Sequence, residues 1–94
     1  MQLVEPTDFE ILAFLDEQGR NNAINIAAGL DRDRSYVNTR LRALAEKELV
    51  QRVGPAENSG LYELTSTGEV ARTLRDRYDD PDADFEELLE RGQG

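Results

Sequence analysis

Apolar residues along the chain fall into short stripes separated by polar punctuation. Ile11, Leu12, Phe14 and Leu15 recur at helical spacing through about Gln18, and Gly19 is a natural stop. The preceding Thr7-Asp8-Phe9-Glu10 has the S/T-x-x-E form of a capping box, which predicts that Thr7 caps this first helix. Asn21 or Asn22 is placed to cap a second helix, with Ile24, Ala27 and Leu30 expected to face inward and Gly29 in its last turn. Asp31-Arg32 reads as a tight turn. Asp33 is a good N-cap for a third helix over 33–48, because its carboxylate sits at the positive helix end. Val37, Leu41 and Leu44 follow at i, i+4, i+7 as the buried stripe, with Leu49 closing it.

The period then changes. Residues 49–53 alternate imperfectly and Leu61-Tyr62-Glu63-Leu64 alternates cleanly, with the turn-forming GPAENSG over 54–60 between them. This predicts a two-stranded hairpin over 50–64. Thr65 offers a cap to a fourth helix with Val70, Ala71, Leu74 and Tyr78 on its apolar face and Arg72, Arg75 and Arg77 outside. Asp79-Asp80-Pro81 breaks it. Phe85, Leu88 and Leu89 predict a short fifth helix capped by Asp82 or Asp84, with a frayed end. The expected organisation is a domain over 1–78 and an acidic C-terminal extension over 79–94, a short helix or partly disordered.

Charge changes this picture at one place. The chain of 94 residues has 20 acidic and 11 basic side chains, net charge -9. Residues 34–54 run against that balance, with five bases and two acids. The third helix therefore presents Arg34, Ser35, Asn38, Thr39 and Arg42 opposite its core stripe, with Tyr36 and Arg40 at the edges, Arg40 being placed to pair locally with Asp33 or Glu46. A local basic patch of this kind has nucleic acid as its natural partner. The arginine-over-lysine bias within an acidic chain resembles proteins of salt-adapted archaea, where molar salt shortens the Debye length to about 3 Å and screens self-repulsion. The overall acidity is read as that habitat.

Other chemistries are poorly served. Cys and His are both absent, which removes thiol and imidazole catalysis, disulfides and the usual zinc sites. The carboxylates are scattered, with no phosphate-cradling loop or nucleophile elbow. The expectation is a chain that is not an enzyme and takes no cofactor. No apolar run approaches the roughly 20 residues that span a bilayer, and the first residues lack a signal-peptide pattern. A soluble, cytoplasmic protein is expected.

The order helix, helix, turn, helix, hairpin, helix is that of a winged helix-turn-helix. The segment IAAGLDRDRSYVNTRLRALAEKELVQRV resembles the core of that superfamily, and LYELTSTG is similar to its second wing strand with a Leu-Thr-x-x-Gly entry to the next helix. The resemblance covers about residues 8–78 and is nearest to haloarchaeal phage-repressor-like winged-helix regulators, related more broadly to the MarR and ArsR types. It implies an α+β, mainly helical fold with a two-stranded wing and a C-terminal helical extension. It also implies a sequence-specific transcriptional regulator, a repressor, binding double-stranded DNA. The third helix would read the major groove through Arg34, Ser35, Tyr36, Asn38, Thr39 and Arg42, and the wing would meet the backbone through Arg52, Asn58 and Ser59. Arg can bond bidentately to guanine, Asn to adenine, and Thr can meet a thymine methyl. Two positions depart from the family pattern: Arg32 stands where an apolar turn residue is usual, and Glu48 where a glycine commonly ends the recognition helix.

The competing reading is a winged helix used for protein–protein contact, which the acidity favours. The polar, amide-bearing helix face favours DNA, since protein anchors are more often aromatic or aliphatic. Phe9 and Phe14, with Phe85, Leu88 and Leu89 in the last helix, exceed what a three-helix core needs. Mutual packing, within the chain or across a two-fold axis, is the expected outlet. A homodimer built from these segments would set two recognition helices about 34 Å apart. No sequence feature points to an effector ligand.

Overall fold

A computed structural model describes residues 1–56 and 59–93. The first helix, α1 (Thr7–Gln18), ends at Gly19, which takes φ 80° while its N–H donates to the Leu15 carbonyl. A two-residue strand, β1 (Asn21–Asn22), leads into α2 (Ala23–Leu30) and α3 (Arg34–Glu46). The strands β2 (Val50–Arg52) and β3 (Leu61–Leu64) form the wing, and α4 (Ser66–Thr73), a 3-10 turn (Arg75–Arg77) and α5 (Phe85–Gln93) complete the chain. The fold is an α+β, mainly helical winged helix.

Two sequence expectations are corrected and one is extended. The two-stranded wing hairpin forms as β2 and β3, and β1 adds a third antiparallel strand in the order β1-β3-β2: Asn21 and Asn22 pair with Tyr62 and Leu61 on the free edge of β3. This ties the start of α2 to the wing. The Thr7 capping box does not form. Thr7 is itself helical and buried. Pro6 stands at the N-cap with no side-chain cap, and Asp8 ties the preceding residues to the first turn: its carboxylate accepts the Val4 N–H at 2.8 Å while its own N–H donates to the Val4 carbonyl at 2.8 Å. Ile24 does not face inward. It is 53% exposed, and Ile26 and Ala27 take the core positions on α2.

The core is built where the third-helix stripe predicts. Val37, Leu41 and Leu44 have no exposed surface and pack with Ile11, Leu12, Leu15, Ile26 and Leu49. Each such side chain contributes roughly 1.5–3 kcal/mol of transfer free energy. A second layer closes the ends of the chain on each other. The rings of Phe9, Tyr78 and Phe85 meet edge-on, with centroids 5.2–6.3 Å apart. The Tyr78 hydroxyl accepts the Leu3 N–H at 2.8 Å and lies 3.1 Å from the Leu3 carbonyl, while the terminal ammonium pairs with Glu86. Leu89 is buried beside them, and Asp84 caps α5 by accepting the Glu87 N–H at 3.2 Å. Phe14 packs instead on α2, against Gly29, where a Cβ would run into its ring. Phe9, Phe14, Phe85 and Leu89 are thus taken up by packing within one chain, and of the expected surplus Leu88 alone stays half-buried, in a groove with Val70 and Leu74.

Candidate nucleic-acid interface

The helix α3 is fixed at both ends by the same device. At its start, Asp33 accepts the Tyr36 N–H at 3.0 Å. The turn before it is a Schellman motif closing α2: Asp31 takes the left-handed conformation (φ 54°), its N–H reaches the Ala28 carbonyl, and the Arg32 N–H reaches that of Ala27. The residue after the left-handed one normally makes an apolar contact here. Arg32 substitutes an ion pair, placing its guanidinium 2.6 Å from Glu10 on α1, and this accounts for the departure at that position. At the far end, Glu48 is left-handed (φ 62°), its N–H bonds the Ala45 carbonyl, and the Leu49 N–H bonds that of Leu44. The usual glycine is absent, yet the geometry glycine would serve is retained.

The junction to the wing is locked by Thr65. Its hydroxyl donates to the Glu48 carbonyl at 2.7 Å and accepts the Gly68 N–H at 3.0 Å, and its N–H donates to the Leu49 carbonyl at 3.1 Å. A Cβ at residue 68 would collide with that same Leu49 carbonyl. Glycine is therefore required at this position for close approach, which explains the Leu-Thr-x-x-Gly pattern physically.

Across α3 runs a buried ion pair that local spacing does not reveal. Arg40 does not pair within its helix. Its Nε and Nη2 donate to Asp8 Oδ1 and Oδ2 on α1, both at 2.8 Å. Asp8 is fully buried. Hydrogen bonding to Asp8 raises the Arg40 pKa above its ordinary value, against an opposing effect of burial. Arg40 is thus a positioning residue that holds α3 against α1.

At 100° per residue, Ser35, Thr39, Arg42 and Glu46 lie along the centre of the outward face, opposite Val37, Leu41 and Leu44. Arg34 and Asn38 lie to one side of that line and Tyr36 to the other. Arg34, Ser35 and Asn38 share an open cleft with Asn22, Ala23, Ile24, Ser59 and Gly60, so the start of α3, the start of α2 and the wing converge. Arg42 and Arg52 share a second cleft with Glu46, Glu48 and Gln51. Tyr36 is exposed but lines neither.

Several candidate side chains already have local work. The Thr39 hydroxyl donates to the Ser35 carbonyl at 3.1 Å, leaving its methyl outward. Ser59 closes the wing loop by donating to the Val53 carbonyl at 2.5 Å. Arg52 stands across the ladder from Tyr62, 6.0 Å over its ring. Asn58 lies outside the described residues. Sequence reasoning missed Ile24, Glu46 and Gln51 as lining residues. For Ile24 a signal existed: Ile24 and Ile26 are 200° apart on a helix, and Ile26, Ala27 and Leu30 make the better stripe.

Ion pairing divides the arginines into two sets. Arg20, Arg32, Arg40, Arg72 and Arg91 each lie within ion-pair distance of a carboxylate. Arg34, Arg42 and Arg52 have no carboxylate partner among the described residues, and the Asn38 amide makes no hydrogen bond there. Arg75 and Arg77, on the 3-10 turn, also form no ion pair among the described residues; Arg75 lies near the Glu5 carboxylate and covers the Phe9 ring at 5.6 Å. In a chain with this excess of acids, three arginines of α3 and β2 that form no ion pair among the described residues leave that face available to an external anion.

The model of the family described as MarR matches residues 4–59. Comparison with curated proteins gives no match. Among solved structures, the chain is similar to the ORF112 Zalpha domain of Cyprinid Herpesvirus3, whose structure describes its binding mode to Z-DNA. The TM-score is 0.59 and the identity 26%, over 68% of this chain and all of that one. It is also similar to IdeR of T. acidophilum, with a TM-score of 0.54 and 18% identity. That match covers all of this chain but only 47% of the IdeR chain, and at this identity it shows the fold alone.

Proposed function

Because the chain belongs to the MarR family, we propose that it is a sequence-specific, DNA-binding transcriptional regulator, a repressor that acts by occupying its duplex. The helix α3 enters the major groove and the wing lies along the backbone. The observation that carries this reading is that Arg34, Arg42 and Arg52 have no carboxylate partner, and the Asn38 amide no hydrogen bond, among the described residues, on one face of an acidic chain. The Z-DNA-binding neighbour supports nucleic acid as the ligand of such a domain. Arg34, Asn38 and Arg42 supply base-edge contacts, and Ser35, Thr39 and Tyr36 flank them. Arg52 and Ser59 on the wing contact phosphate and sugar, which positions the protein without reading sequence, and Asn58 is assigned the same role from the sequence alone.

The test is retention of a pool of random duplexes by the purified chain, followed by affinity measurement on the enriched sequence over a range of salt. Arg52→Ala removes one arginine–phosphate contact and should make the log–log salt slope shallower by about 1. Alanine at Arg34, Asn38 and Arg42 together should weaken binding by well over tenfold, since one bidentate base contact contributes about 1–3 kcal/mol. Undiminished affinity and preference in that folded triple variant would show that α3 is not the reading element. A duplex held in the left-handed form, run alongside, tests whether the ligand of the Zalpha neighbour is also bound here.

A further inference from the structure

In the first turn of α2, Ile24 presents a large apolar side chain on the side of the helix away from Ile26. It is the most exposed large hydrophobic residue of the described chain, 53% against 39% for Tyr36. Isolated surface apolar residues are ordinary. This one is set apart by its surroundings. It lines the cleft formed with Arg34, Ser35, Asn38 and Ser59, and apart from the Ala23 methyl it is the apolar element of an otherwise polar wall. Its position is also well defined. Asn22 caps the helix by accepting the Asn25 N–H at 2.9 Å, and the Asn21–Asn22 strand is paired to the wing. Beside it, Asn38 has an amide with no hydrogen-bond partner among the described residues.

We infer that Ile24 and Asn38 together form a subsite for an A·T base pair, with Ile24 against the thymine C5 methyl. The chemistry is complementary. The major-groove edge of adenine offers N7 and the N6 amino group to a bidentate Asn or Gln amide, and the thymine of the same or adjacent pair projects the one apolar group of that groove. Arg34, on the same wall, supplies the charge that brings the polyanionic duplex to the cleft. An aliphatic side chain and an amide with no partner among the described residues, in one cleft, match this edge, which offers a methyl and a donor–acceptor pair together.

The inference rests on the DNA-binding reading above and is tested so that the two can fail separately. The duplex enriched by the intact chain is remade with each thymine in turn replaced by uracil, which removes only the C5 methyl. One position should show a loss of about three- to fivefold, the effect of one methyl taken out of contact. Ile24→Ala, at an exposed helical site where alanine retains the helix, should bind the thymine and uracil forms of that position equally and should melt as the parent does. Asn38→Ala should lose preference for adenine at the same or neighbouring pair. A flat uracil scan with the intact chain overturns the inference alone, as does an Ile24→Ala chain that still distinguishes thymine from uracil. A chain that retains no duplex overturns the DNA-binding reading, and this subsite with it.

Discussion

Arg40→Met should be among the most damaging single changes on α3, although Arg40 lies at the edge of its outward face. The side chain donates two charge-assisted hydrogen bonds at 2.8 Å to Asp8, whose carboxylate has no exposed surface and whose remaining partner is the Val4 N–H. Removing the guanidinium leaves a buried carboxylate with one neutral donor. Breaking a buried pair from one side costs about 3–5 kcal/mol. A domain of this length is stable by roughly 5–14 kcal/mol, so about a fifth or more of its stability is at stake. At about 4–8 °C per kcal/mol, the melting temperature should fall by at least about 12 °C. The comparison is Arg72→Met, which breaks half-exposed contacts to Asp16 and Glu17; each exposed pair contributes at most about 1 kcal/mol. Circular dichroism melts of both variants, at low and at molar salt, measure the contrast. Salt should narrow the Arg72 effect and leave the buried one largely intact. The double variant Asp8→Asn, Arg40→Met should recover most of the loss, because the amide oxygen still accepts the Val4 N–H and no uncompensated charge remains. The reasoning is refuted if Arg40→Met melts within about 4 °C of the parent, or if the double variant is no more stable than the single.

Two further changes examine the helix ends and the tail. Glu48→Gly should stabilise the fold by about 0.5–1 kcal/mol. The left-handed conformation costs an L-residue roughly 1–2 kcal/mol, and glycine gives back about 0.5–1 through its own backbone entropy; a lower urea midpoint for the variant would contradict this. Phe85→Ala should cost about 3 kcal/mol, since the ring is buried against Phe9 and Tyr78. An unchanged melting temperature would mean that α5 is not held to the rest in solution.

The third helix was the most legible element because everything that makes it is local. A carboxylate at Asp33 caps it, and Val37, Leu41 and Leu44 keep one side. The outward set, Arg34, Ser35, Asn38, Thr39 and Arg42, follows by elimination. What was not legible is set by partners distant in the chain. The Asn21–Asn22 strand is two residues long and exists only because β3 has a free edge. Asp8 reads as a first-turn acid until Arg40, 32 residues away, is brought against it. Thr7 and Glu10 spell a capping box, but burial of Thr7 and the pull of Arg32 on Glu10 take both members elsewhere. Ile24 was misassigned for a simpler reason. A short helix with apolar residues at 24, 26, 27 and 30 admits two stripes, and only packing chooses between them. The same choice put Ile24 in the cleft.

The knot at Thr65 has a consequence for how this face meets a duplex. With the end of α3, the start of α4 and the root of the wing joined by three hydrogen bonds and by the contact at Gly68, the distance from recognition helix to wing is set before any ligand arrives. A protein surface of fixed span transfers the work of fitting to the nucleic acid. On the proposed DNA-binding mode, groove width and bending would then become part of what is selected, including at base pairs that no side chain touches, and pliable pyrimidine–purine steps would be favoured wherever the span demands a kink.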